Sequence, residues 1–165
     1  MKSSLFGLDF TRYSQLGAYL DGCMRKKRIL IIDNESIALA SARQILQSDG
    51  YEVFSHSKGF TATEVARQLV PDLILLDVNR PDMTGEKLFA VLRANDTTRD
   101  IPVVFWSTDR EEIVRASAKR FGARGYVIKG STALLRQCVA QVVGEGTLHS
   151  NTGTSPRTGG GDATY

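Results

Sequence analysis

The stretch from Pro71 to Gly85, P-D-L-I-L-L-D-V-N-R-P-D-M-T-G, constrains the fold more than any other part of the chain. Leu73 to Leu76 is an unbroken apolar run opened by Pro71-Asp72. A run that is apolar on both faces suits a strand buried in the middle of a parallel sheet. Asp77 follows with no charged residue beside it, at the carboxyl end of that strand, where open α/β sheets gather their ligands. Arg80-Pro81-Asp82 and Thr84-Gly85 mark a loop leaving the sheet for a helix. On this stretch alone two readings of Asp77 stand level: a cap for the next turn, or part of a site.

The rest of the chain repeats the strand-then-helix pattern. Ile29 to Ile32 is an apolar strand ending in Asp33-Asn34-Glu35. A helix then runs to Ser48, with Ala38, Ala42 and Ile45 on one face and Gly50 as its stop. Tyr51 to Ser55 alternates as a second strand. Thr61-Ala62-Thr63-Glu64 reads as a capping box, and Ala62, Val65, Ala66 and Leu69 then recur at helical spacing. After the strand ending at Asp77, a helix from Thr84 to Ala94 turns Leu88, Val91 and Leu92 inward. Pro102 to Trp106 is a fourth strand. Asp109 with Glu112 forms a second capping pattern for a helix carrying Ile113, Val114, Ser117 and Phe121 and stopping at Gly122. Tyr126 to Ile128 is a fifth strand, and Leu134, Leu135, Cys138, Val139 and Val142 stripe a last helix.

Five such units predict an α/β fold: a doubly wound, five-stranded parallel sheet in the order 2-1-3-4-5, covered on both faces. The folded domain spans 28–144. Residues 1–27 form a partly ordered extension, in which Phe6, Phe10, Tyr13, Leu16 and Leu20 recur at helical spacing and Arg25-Lys26-Lys27 is a solvated lead-in. Residues 145–165 hold five Gly, five Thr and two Ser, a composition too polar to bury, and predict a disordered tail.

Bulk properties exclude several function classes. Net charge is +3 overall, but the extension carries +3, the domain +1 and the tail −1. The basic pI is therefore no evidence by itself for a nucleic-acid binder. No apolar run approaches membrane-spanning length, and Gly7 and Asp9 interrupt any signal-peptide core. Cys23 and Cys138 lack metal-site or disulfide spacing, which predicts a reduced, cytoplasmic protein.

In the 2-1-3-4-5 order the first and third strands are neighbours, so Asp33 and Asp77 end side by side. Asn34 and Glu35 lie beside them, Ser107 ends the fourth strand and Lys129 follows the fifth. Clustered carboxylates repel unless a cation joins them, and an all-oxygen set suits a hard ion such as Mg²⁺. A hydroxyl and an ammonium around a carboxylate suit recognition of a transferred phosphoryl group.

These segments resemble the receiver domain of two-component response regulators over residues 28–144. The motifs that carry the resemblance are I-L-I-I-D-N-E at 29–35, the 71–85 stretch, I-P-V-V-F-W-S-T at 101–108 and G-A-R-G-Y-V-I-K-G at 122–130. It implies that Asp77 accepts a phosphoryl group from a sensor histidine kinase or phosphotransfer protein. Asp33, the side chain of Asn34, Asp77 and the main-chain carbonyl of Asn79 would hold Mg²⁺. Ser107 would bond a phosphoryl oxygen, and Lys129 would pair with the carboxylate and then the phosphate. Tyr126 matches the position of an aromatic switch. Such a chain catalyses no reaction beyond its own phosphorylation and dephosphorylation.

Three positions depart from the family pattern. Asn34 stands where a second acidic residue is usual, which predicts weaker Mg²⁺ binding. Lys129 precedes Gly130 rather than proline, which predicts a trans bond and a different aim for the ammonium. Trp106 is larger than the usual residue before the hydroxyl. With no output domain after Gly144, the leading expectation is a stand-alone receiver that acts on partner proteins and carries no DNA-binding domain. The alternative is a pseudo-receiver, an interaction module that takes no phosphate because of Asn34. A flavin carrier or enzyme of the same fold lacks support, since no Gly-rich loop follows the first strand. Seven Lys/Arg against Glu111 and Glu112 between Arg110 and Arg136 predict an acidic downstream partner.

Overall fold

The computed structural model describes residues 25–148, with side chains to 144. Five strands alternate with five helices: β1 (Arg28–Ile32), α1 (Ser36–Ser48), β2 (Glu52–His56), α2 (Gly59–Leu69), β3 (Leu73–Asp77), α3 (Gly85–Ala94), β4 (Val103–Ser107), α4 (Glu111–Phe121), β5 (Gly125–Ile128) and α5 (Thr132–Leu148). All strands pair in parallel, in the order β2-β1-β3-β4-β5. The predicted architecture is therefore the one found. β3 and β4 are buried at every position, as central strands covered on both faces must be.

Alternation along the strands divides the core into two layers. Leu30, Ile32, Ile74, Leu76, Val103 and Phe105 pack against Ala62 and Ala66 of α2, Leu88, Phe89 and Leu92 of α3, and Val114 and Ala118 of α4. Phe89 meets Phe105 edge-on, with ring centroids 5.6 Å apart. Ile29, Ile31, Leu73, Leu75, Val104 and Trp106 pack against Ala42 and Leu46 of α1 and Leu135, Val139, Val142 and Val143 of α5.

Helix phases and starts differ from the sequence reading in several places. Val91, Ile113 and Leu134 are about half exposed, while Phe89, Ala118 and Val143 are buried. The stripe positions Ala42, Ala62, Ala66, Leu88, Leu92, Val114, Leu135, Val139 and Val142 are buried as expected. Neither capping box forms. α2 begins two residues before Thr61, whose hydroxyl lies 2.8 Å from His56 Nε2, and Glu64 pairs with Arg67. The N-cap of α2 is served from outside, since Asp82 Oδ2 accepts from Gly59 N at 2.6 Å. α4 begins after Arg110, without a side-chain cap from Asp109. Thr84 does cap α3, accepting from Lys87 N at 3.4 Å.

The edges of the domain also differ. α5 continues four residues past the boundary set at Gly144. The lead-in is solvated at Arg25 and Lys26 as expected, while Arg25 and Lys27 also pair with Asp72 at 3.1 and 3.5 Å and tie the start of β1 to the start of β3. The predicted helical spacing in the extension and the tail beyond Leu148 lie outside the described residues.

Two glycines are required by the backbone around the site. Gly130 follows Lys129 with φ +97°, a region costly for residues with a Cβ. Gly85 starts α3 so close to β3 that a Cβ would meet Asp77 O at 2.6 Å and Val78 Cα at 2.7 Å.

Candidate functional site

The carboxyl ends of β1, β3, β4 and β5 deliver Asp33, Asp77, Ser107 and Lys129 to one crevice. Asp33 and Ser107 are fully buried and Asp77 is 2% exposed. Each hydrophobic strand carries its polar residue to the rim as its last or next residue, where the apolar layers end. Lys129 Nζ lies 2.7 Å from Asp33 Oδ2, 3.3 Å from Asp77 Oδ1 and 3.4 Å from Glu35 Oε2. The Gly130 departure thus leaves the ammonium aimed at both carboxylates, contrary to the expected change of aim.

The electrostatics follow from burial. Asp77 is held above the usual carboxylate range, first by desolvation and then by the Asp33 charge. Lys129 and the Asn79 N–H, which donates to Asp77 Oδ1 at 3.2 Å, oppose that rise. For Lys129, burial disfavours the ammonium, yet its bond to Asp33 and the charges of Asp77 and Asp33 win, raising its pKa above the ordinary lysine value. One ammonium therefore offsets much of the repulsion between two buried carboxylates.

Ser107 Oγ accepts from Asn79 Nδ2 at 3.2 Å and from Asp109 N at 3.1 Å. Both contacts use its lone pairs, so its own proton remains to donate. Asp33 Oδ1 accepts from Glu35 N at 2.8 Å. Its Oδ2 is buried against the Lys129 ammonium at 2.7 Å. Asn34 is exposed and, with Asn79, Thr84 and Asp109, borders a cleft of about 600 Å³ running between α3 and α4.

Can these residues hold a cation? Two buried carboxylates are the oxygen set a hard divalent ion takes up with carbonyls and waters, and here the Lys129 ammonium already stands against both. Among the described residues no group of three His, Cys, Asp or Glu could hold a metal. The site thus supplies two buried carboxylates, with Asn34 carrying no charge at its rim. The residues fit a hard cation, with fewer charges than an Asp or Glu at 34 would give.

Tyr126 lies on the far side of β5, partly buried against the α2–α4 layer. Its hydroxyl donates to Glu111 Oε1 at 2.9 Å, which raises the phenol's pKa. Arg110, Arg115, Lys119, Arg120 and Arg124 are exposed around α4 and β5. Arg136 leaves that surface, pairing with Asp49 at the end of α1 at 2.9 Å.

The sequence reading missed Arg80. Treated as part of a loop signal, it is buried, with Nη2 donating to Ser57 O and lying 3.0 Å from Asp82 Oδ1. Among the described residues, Nε and Nη1 have no hydrogen-bond partner. Arg80 and Asp82 together lock the β3–α3 loop to the start of α2. Nothing in R-P-D signals this, because the pairing depends on where β2 ends.

Comparison with known proteins gives the family and the fold. Residues 29–139 match the response regulator receiver domain, and the chain belongs to that family. The Mycobacterium tuberculosis transcriptional regulatory protein PrrA is 32% identical over 123 residues, covering 74% of this chain and 51% of PrrA. The chain thus spans about half the length of that relative. Pseudomonas aeruginosa PilH is 31% identical over 102 residues, covering 62% of this chain and 84% of PilH. The receiver domain of the Pseudomonas aeruginosa sensor histidine kinase PA1611, solved with a magnesium ion in its active-site cleft, shares the fold. Its TM-score is 0.66 at 22% identity, covering 73% of this chain and 99% of that one. Members of this family are signalling phosphoacceptors rather than conventional enzymes. Among the described residues no helix is long and apolar enough to cross a membrane.

Proposed function

We propose that this chain is a cytoplasmic response-regulator receiver that accepts a phosphoryl group on Asp77 and signals through protein partners. The observation that carries this is the Lys129 ammonium set between Asp33 and Asp77, at 2.7 and 3.3 Å. The donor is the phosphohistidine of a sensor kinase or phosphotransfer protein. An Asp77 carboxylate oxygen attacks phosphorus, the P–N bond breaks, and its electron pair leaves on imidazole, which takes a proton. The product is an acyl phosphate.

The chain's own groups are placed for the charge that develops. Lys129 can transfer its ammonium from the carboxylates to a phosphoryl oxygen, and Ser107 can donate the proton its two contacts leave unused. Mg²⁺ held by Asp33, Asp77, the Asn79 carbonyl and the Asn34 amide oxygen would offset the remaining negative charge. The missing carboxylate at 34 weakens its binding: two unit charges ~4 Å apart interact by about 4 kcal/mol at an effective dielectric of 20, and desolvation cancels part.

Output runs through Tyr126 and the exposed basic side chains of α4. Donation of the Ser107 proton to the phosphoryl group draws the β4–α4 loop inward and favours an inward Tyr126, at the cost of its Glu111 bond. An acidic partner then distinguishes the two populations. Its association rate should fall steeply with salt, and Arg115→Glu with Lys119→Glu should slow it further. A rate indifferent to both removes this surface from the proposal.

The experiment for the acceptor is incubation with a small-molecule phosphodonor and Mg²⁺. The wild-type protein should be labelled and a folded Asp77→Asn variant should not. Labelling of both sinks the assignment, while labelling of neither favours the pseudo-receiver, to which Asn34 already lends an argument.

A further inference from the structure

Lys129 leaves β5, yet its ammonium rests between residues of β1 and β3. Neighbouring strands lie ~4.8 Å apart, so the side chain must cross the end of β4 on the way. The β4 residue in register with Asp77 is Trp106, itself in register with Val127 of β5. Alternation along β3 puts Asp77 on the face of Leu73 and Leu75, the layer in which Trp106 packs. The indole therefore lies along the route of the lysine. Nζ sits 5.1 Å from its ring centroid, and Trp106 is 4% exposed. That distance is within cation–π range, and the attraction is largest for indole and for a desolvated cation.

The backbone alone restrains the ammonium weakly. Lys129 N donates to Ser107 O at 2.8 Å, but the next residue is glycine, and four carbons separate Cα from the charge. Glu35, about half exposed, competes for the ammonium from the solvent side at 3.4 Å. Something beside the stem has to favour the inner position.

We propose that Trp106 is a positioning residue for Lys129: its ring holds the ammonium over the Asp33–Asp77 pair, so that the charge is already in place when a phosphoryl group arrives. The contact stands on geometry alone. Its consequence for transfer rests on Asp77 being the acceptor.

Two readouts test it at one fixed pH. In the proton NMR spectrum, the Lys129 ε-methylene should lie upfield of its random-coil position from the ring current, and Trp106→Leu should return it. In phosphodonor labelling, Trp106→Leu should slow modification of Asp77 by about 2- to 30-fold. In the Lys129→Met background the same substitution should change the rate less than about twofold, because the group it acts through is gone. Should the leucine variant not fold, Trp106→Phe carries the same cycle, with a smaller slowing that also vanishes without Lys129. An unshifted ε-methylene in the wild-type protein overturns the proposal, as does equal slowing in both lysine and methionine backgrounds. A shifted ε-methylene in a protein that takes no label supports the contact and refutes the phosphoacceptor reading instead.

Discussion

Replacing Lys129 by methionine removes the ammonium that joins two carboxylates, each no more than 3% exposed, while keeping most of the stem's bulk. Breaking a buried pair by deleting one partner costs about 3–5 kcal/mol. Asp77 softens the loss, because burial and the Asp33 charge already raise its pKa, and without Lys129 it takes up a proton more readily. The expected deficit at neutral pH is about 3 kcal/mol, or roughly 10 °C in melting temperature for a domain of this size. The pH dependence has a definite sign. The folded-state pKa of Asp77 lies above its unfolded value, so the native state binds a proton first and gains stability as pH falls through that value. Acidification should therefore shrink the deficit. On the alkaline side, the raised Lys129 pKa gives the wild-type protein stability that is lost only as pH rises through it, above the ordinary lysine value of 10.5, and the variant lacks that limb. Urea unfolding of both proteins at neutral and mildly acidic pH measures this. A deficit under about 1 kcal/mol, the range of an exposed pair, or one that acidification leaves unchanged, refutes the buried-pair argument.

Further outcomes follow from the same geometry. Asn34→Asp should tighten Mg²⁺ binding by restoring a carboxylate to an oxygen site, read by Trp106 fluorescence, and equal affinity would place residue 34 away from the ion. Gly85→Ala should cost at least about 2 kcal/mol, because its Cβ would meet backbone atoms of Asp77 and Val78 that cannot step aside, and thermal unfolding reads the loss. Val70 caps α2 at φ 45° and is half exposed. Val70→Asn should therefore gain about 1 kcal/mol in urea unfolding by relieving left-handed strain at a β-branched residue.

What the sequence made legible tracks what local chemistry dictates. Buried parallel strands leave continuous apolar runs, so β1, β3 and β4 and the polar residues at their ends were readable, and with the strand order they placed Asp33 beside Asp77. Helix starts were readable at Thr84 but not at α2 or α4, because Ser, Thr and Asp cap only where the backbone turns to meet them. Thr61 lies inside a helix that begins at Gly59, and that cap comes from Asp82, 23 residues away. Helix phase was readable for most of each stripe, as Leu88 and Leu92 show, but at the stripe edge the covering layer decides which side is inner: Phe89 goes in and Val91 out. Arg80 was illegible because a buried guanidinium depends on the Ser57 carbonyl and Asp82 carboxylate, partners that only the assembled loops supply. The aim of Lys129 was unreadable for a similar reason. It depends on Trp106 and the paired carboxylates more than on the residue that follows.

The central claim is that Asp77 becomes an acyl phosphate. Borohydride reduces an aspartyl phosphate to homoserine, so treating the phosphodonor-exposed protein with it marks the modified residue permanently. Peptide mass analysis should then find homoserine at position 77 and at no other aspartate. Aspartate intact at 77, or homoserine elsewhere, contradicts the account.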